Sequence, residues 1–186
     1  MIKSGVCLLA GAAIVGLSGS ASAVTDTNFT YSAYKLGIYA INVTDMAPDS
    51  SATAGVGGSG GYITYFLDGV VVGQGTASGC YMTGVHLPQG AYLYAVQAYY
   101  KSGVAASQPS LFFGRQQFYT GAVTSILEAS LANDTNTRTL YNANITNNTH
   151  RYIDNVSYSY SFAFCLPPGD QFEGARIFYH YNSAGD

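Results

Sequence analysis

Residues Val156 to Leu166 read V-S-Y-S-Y-S-F-A-F-C-L, a strict alternation of large apolar and small side chains. Val156, Tyr158, Tyr160, Phe162, Phe164 and Leu166 fall on one side. Ser157, Ser159, Ser161, Ala163 and Cys165 fall on the other. Side chains two residues apart share a face of a β-strand, and no helix would gather this set on one side. The stretch therefore predicts a strand with one buried and one solvated face. It places Tyr158, Tyr160, Phe162 and Phe164 at the centre of a core.

Working outward, the same grammar recurs. Downstream, Pro167-Pro168-Gly169-Asp170 is a turn, and Ala175 to Tyr181 is a closing strand. Upstream, Asp68-Gly69 between Tyr62–Leu67 and Val70–Val72 is a strong hairpin signal. Thr83 to Leu87 leads through Pro88-Gln89-Gly90 into Ala91 to Tyr100. Leu111 to Tyr119, Ala122 to Leu131, Arg138 to Ile145 and Arg151 to Ile153 complete the series. Strands recurring about every 8–12 residues with turn residues between them predict an all-β chain, an antiparallel β-sandwich of jelly-roll-like kind. One detail lies in Ala91 to Tyr100. Ala91 and Leu93 are odd-numbered, whereas Val96, Ala98 and Tyr100 are even. A β-bulge near Tyr94-Ala95 would reconcile them, and without one Tyr92, Tyr94 and Tyr100 would form one aromatic face.

The first residues have the form of an export signal. Lys3 gives a positive start, Val6 to Leu17 an apolar run, and Ala21-Ser22-Ala23 a small-residue cleavage site. The apolar run is short for a membrane span, so the expected product is one exported domain, 24–186, without a membrane anchor. It is secreted or extracellular, with the periplasm as an alternative. Within it, residues 24–61 are an N-terminal strand segment (Leu36 to Val43) followed by the low-complexity loop Asp49 to Gly61, and 62–186 are the body of the sandwich. Beyond the leader only Cys80 and Cys165 remain, and in an oxidising compartment they are expected to pair as a disulfide.

Composition excludes some functions. Seven Lys and Arg stand against ten Asp and Glu, for a formal net charge of −3, which argues against a nucleic-acid partner. His86, His150 and His180 have no metal-ligand spacing, and no cofactor is expected. Structural calcium is considered at Asp45 with Asp49, or at Asp170 with Glu173, neither of which has EF-hand spacing. Asp154 reads as a turn residue bonding local backbone. Neither a nucleophile elbow nor a phosphate loop is present, so the chain is not expected to be an enzyme. Tyrosine is abundant, at 17 residues, and tryptophan is absent. A tyrosine joins a rigid apolar ring to a polar tip, so Tyr92, Tyr94 and Tyr99 are candidate ligand-binding residues wherever they face outward.

Two groups of residues carry a resemblance. The first is Val85-His-Leu-Pro-Gln-Gly-Ala91 followed by Ala98-Tyr-Tyr100. The second is Ile153-Asp-Asn155 with Tyr158 and Tyr160, closed by Gly174-Ala-Arg-Ile-Phe-Tyr179. Together they resemble a β-sandwich domain of unassigned function common in secreted bacterial proteins. The resemblance spans about Tyr62 to Tyr181 and implies a fold while supplying no catalytic residues. The chain departs from it at Lys101-Ser102, where such domains often carry an acidic residue. The function expected from the whole is a non-catalytic structural or interaction role outside the cytoplasm. The alternatives are a carbohydrate-binding or adhesive module using exposed tyrosines, or self-association through the N-terminal strand.

Overall fold

The alternating stretch forms a strand whose large side chains close the core. In the computed structural model, which describes residues 35–48, 62–65, 71–74, 78–103, 108–133 and 137–182, these all fall in one compact unit, Ser32–Asp186. The leader, the loop 49–61 and the Asp68-Gly69 turn lie outside the described residues.

Eleven strands are described. They are β1 (Lys35–Ile41), β2 (Ala47–Pro48), β3 (Tyr62–Tyr65), β4 (Val71–Gln74), β5 (Gly79–Val85), β6 (Tyr92–Lys101), β7 (Ser110–Gln117), β8 (Val123–Ser130), β9 (Thr139–Asn144), β10 (Tyr158–Leu166) and β11 (Gln171–Tyr181). They form two antiparallel sheets. One has the order β2-β5-β10-β7-β8. The other has the order β3-β4-β11-β6-β9, with β1 also pairing along β11.

The two inner faces meet through aromatic rings. Tyr160, Phe162, Phe164 and Leu166 of β10 are buried. The Phe172 ring of β11 stacks on Phe164 at 4.1 Å between centroids and lies 6.3 Å from Phe162. Leu93, Val96, Ala98 and Tyr100 of β6, Ile177 of β11, and Leu111 and Phe113 of β7 fill the rest. Ser159, on the opposite face of β10, is exposed, as the alternation requires.

Two ends of the alternating stretch need correction. Val156 is 68% exposed and Tyr158 only half-buried, with the Arg115 guanidinium 4.1 Å from its ring centroid. The strand starts at Tyr158 because Asp154 holds the preceding residues in a turn. Its Oδ1 accepts from the N–H groups of Val156 (3.1 Å) and Ser157 (3.3 Å), and Tyr158 N–H donates to its backbone carbonyl. The expected strand Arg151 to Ile153 is reduced to a single bridge, Tyr92 with Tyr152. From Ala95 onward the same edge of β6 is taken by β9, so only its first residues remain for this segment.

The parity problem in β6 resolves as a bulge. Phe178 pairs with Ala95 and Tyr179 with Leu93, which leaves Tyr94 as the extra residue. Leu93 and Val96 can then both point into the core.

The two groups of residues that carry the resemblance bind each other. Gly90 N–H donates to the Ile153 carbonyl, Ile153 N–H to the Ala91 carbonyl, and Asn155 Nδ2 to the Leu87 carbonyl at 2.8 Å. Asn155 N–H also donates to Gln89 Oε1 at 2.6 Å. These motifs are thus a clasp between two loops at one end of the sandwich, which accounts for their silence on chemistry.

The Asp154 turn gives the stability a pH dependence. Burial would raise the carboxyl pKa, but hydrogen bonds from Ser157, Val156 and Gln89 outweigh it and hold the group below its ordinary 3.8. A depressed carboxyl contributes stability that is complete above the unfolded value and is lost as pH falls through the lower, folded one. Denaturant titrations between about pH 2 and 6 should show this loss in the wild type. Asp154→Asn keeps the Oδ1 acceptor and should lack that part of the acid limb. An identical acid limb in the variant would contradict the assignment.

β1 pairs within its own chain, Lys35 to Ile41 running antiparallel to Tyr181 to Ala175. Cys80 and Cys165 stand directly opposite each other in β5 and β10 and are joined by a disulfide, on the outer face of their sheet with Cα atoms 4.0 Å apart.

Candidate functional site

Beyond the bulge, the alternation of β6 turns Gln97 and Tyr99 to the outer face of the β11-containing sheet, while Val96, Ala98 and Tyr100 stay in the core. Register fixes the neighbours of Tyr99, which are Gly174 on β11 and Leu140 on β9. At this level β11 carries its own irregularity. Phe172 pairs with Tyr100 and Gly174 with Tyr99, so Glu173 is an extra residue. Gly174 has φ +135°, and a Cβ there would stand 2.9 Å from the Ile41 carbonyl oxygen. Only glycine lets the end of β1 come this close.

The result is an open groove of about 340 Å³ lined by Asn42, Tyr99, Arg138, Glu173, Gly174 and Arg176, with Ala40, Ile41 and Ala175 behind them. Arg138 Nε and Glu173 Oε2 form an ion pair at 2.5 Å, the arginine largely exposed and the glutamate mostly covered. The Arg138 and Arg176 guanidinium carbons lie 5.0 and 5.6 Å from the Tyr99 ring centroid, within cation–π range. Asn42 Nδ2 donates to Asp45 Oδ2 at 3.4 Å. Arg176 is exposed, with no carboxylate in ion-pair contact among the described residues.

The face continues from the groove as an apolar strip. Ile38, Phe178 and Ala95 align across β1, β11 and β6, and Leu36 and Ile38 are more than half exposed. Tyr94, placed on this side by its bulge, is 48% exposed and meets His180 edge to face at 5.6 Å.

The structure thus separates the three candidate tyrosines. Tyr99 lines the groove and Tyr94 stands free on the strip. Tyr92 is only 9% exposed, packs edge to face on Tyr152, and its hydroxyl is bonded by Arg151, so it presents no ring face to a ligand. The histidines also part company. His86 follows β5, His180 packs on Tyr94, and His150 sits in a short 3-10 turn where burial and the Arg115 charge lower its pKa, with a Thr149 backbone hydrogen bond opposing them. Among the described residues no cluster of three His, Cys, Asp or Glu side chains lies close enough to share a metal ion. Of the carboxylates weighed for calcium, Asp170 is buried and accepts from Ser102 Oγ and Gly103 N–H, while Glu173 pairs with Arg138. Asp49 lies outside the described residues.

Among solved structures, the chain is similar to the xylan-binding module CBM15, at 14% identity over 77% of this chain and 97% of that one, with a TM-score of 0.49. It is also similar to the C-terminal CBM6 of LamC, a marine laminarinase from Zobellia galactanivorans, at 12% identity over 76% and 98%, with a TM-score of 0.48. A third is the carbohydrate-binding module CBM6cm-2 from Cellvibrio mixtus lichenase 5A, in complex with cellotriose (15% identity, 75% and 95%, TM-score 0.40). No protein-family model and no curated protein matches. At these identities and scores, any argument for a ligand rests on the groove's own chemistry.

Asn42, Arg138 and Arg176 were not singled out by sequence reasoning as ligand-binding residues, and Glu173 was weighed only for calcium. They come from three separate stretches, with Glu173 and Arg176 together on β11. The usable signal was the Gly174 step in β11 together with the outward parity of Tyr99.

Proposed function

We propose that this chain is a non-catalytic β-sandwich protein that acts outside the cytoplasm and binds carbohydrate at the groove beside Tyr99. The composition of that groove carries the reading. A sugar ring offers an apolar C–H face and a belt of neighbouring hydroxyls. Tyr99, held on a central strand, supplies an aromatic surface for the first. The guanidinium forks of Arg138 and Arg176, the Glu173 carboxylate and the Asn42 amide supply paired donors and acceptors for the second. A volume of about 340 Å³ is at the small end for ligand sites and suits about one or two pyranose rings. The Cys80–Cys165 disulfide supports an oxidising location.

The test is a glycan array followed by calorimetry on the best ligand, using wild type, Tyr99→Ala and Tyr94→Ala. Tyr99→Ala should weaken binding at least tenfold, about 1.4 kcal/mol, with an unchanged circular dichroism spectrum. Tyr94→Ala should matter only for longer oligosaccharides that reach the apolar strip. A wild type that retains no glycan, or a Tyr99→Ala variant that binds as tightly as wild type, would overturn the assignment.

A further inference from the structure

The charge in the groove is unevenly spent. The chain carries only seven Lys and Arg and a net charge of −3, yet Arg138 and Arg176 both line the groove, and Lys101 lies on the same sheet face. Lys101 lies two residues beyond Tyr99 on β6, level with Gln171 of β11, and so shares its face. The acids in reach are Glu173, bound to Arg138, and Asp45, which accepts from Asn42. Arg138 engages Glu173 through Nε, and Arg176 has no carboxylate contact among the described residues. Two guanidinium groups within 5.0 and 5.6 Å of one ring centroid repel each other, and an anion bound to both would relieve that repulsion.

Resting on the carbohydrate reading above, we propose that the groove selects acidic saccharides, whose anionic group is held by Arg176 and the free edge of Arg138 while Tyr99 receives the ring. Guanidinium binds such groups as a fork, with two parallel N–H to oxygen bonds. The shared chemistry is a planar carboxylate, as in uronic acids, or a sulfate ester. A neutral sugar would leave the surplus cation uncompensated.

Calorimetry with polygalacturonate, its fully methyl-esterified form, dextran sulfate and dextran tests this. Each pair shares its sugar backbone and differs at the anionic group. Acidic members should bind at least tenfold more tightly than their neutral counterparts, and added salt should weaken them selectively. A preference only within the galacturonate pair assigns carboxylate, and one only within the dextran pair assigns sulfate. Arg176→Gln, at an exposed position, should erase the preference by weakening the acidic members far more than the neutral ones, and should leave thermal stability unchanged. Glu173→Gln should tighten acidic binding about two- to threefold by removing the competing carboxylate. Equal binding of acidic and neutral members, unaltered by Arg176→Gln, would overturn the selectivity and leave carbohydrate binding standing. Binding of poly-glutamate as tightly as polygalacturonate would overturn both, whereas no binding of any of the four polysaccharides by a protein that retains another glycan on the array would overturn the selectivity alone.

Discussion

Replacing Phe162 with alanine should lower the unfolding free energy by about 3–5 kcal/mol, enough to unfold a marginal domain at the low end of the usual range of about 5–15 kcal/mol. The side chain is fully buried, faces Phe113 of β7 and Thr83 of β5 across the sheet, and lies against Phe172 of the opposite sheet. Four elements therefore border the cavity the substitution would leave. None is a loop that can collapse into it, which favours the upper end of the range. Urea denaturation of Phe162→Ala beside Ser159→Ala provides the comparison. Ser159 is exposed on the other face of the same strand, so its loss should change stability by less than about 0.5 kcal/mol. Equal effects at the two positions would contradict the assignment of faces.

Reducing the Cys80–Cys165 bond, or replacing both cysteines with serine, should cost about 4 kcal/mol in the chain-entropy account of a loop this long. The bond joins residues 85 apart in sequence, so its removal frees a large part of the unfolded chain. In the folded state the two positions stay opposed by the β5–β10 ladder, so the native spectrum should persist while the denaturation midpoint falls. A midpoint unmoved by reductant, with thiol formation confirmed by mass, would contradict this.

The fold was largely legible because its information is local and periodic. The two-residue period of Val156 to Leu166 marked the buried face, and the parity switch in Ala91 to Tyr100 marked the bulge at Tyr94. Turn chemistry placed the breaks at Pro88-Gln89-Gly90 and Pro167-Pro168-Gly169. The misses have local causes as well. The capping by Asp154 removes Val156 from the strand, and β9 takes the edge that Arg151 to Ile153 was expected to share. The candidate site was barely legible. Tyr99 could be suspected from its parity, but Tyr92 and Tyr94 could not be told apart before the bulge was located. Arg138, Glu173 and Arg176 meet through strand order, and strand order is long-range pairing that no window of sequence displays.

β11 has a consequence for the timing of folding. It is the last of the described strands, yet β1, β4 and β6 all pair with it, and only β3 and β9 of its sheet do not. A nascent chain lacking residues 171–181 would hold β1 with no partner in its sheet, would leave the β3–β4 pair unconnected to the β6–β9 pair, and would lack Phe172 against the inner face of β10. Such a chain depends on contacts of long sequence separation and should be slow to condense. Synthesis at about 5–20 residues per second would therefore leave it unstructured until β11 appears. Arrival of β11, which joins β1, β4 and β6, unites this sheet of the sandwich. A polypeptide that stays open until then can be handed on in extended form, and its two cysteines meet when the β5–β10 ladder of the other sheet forms.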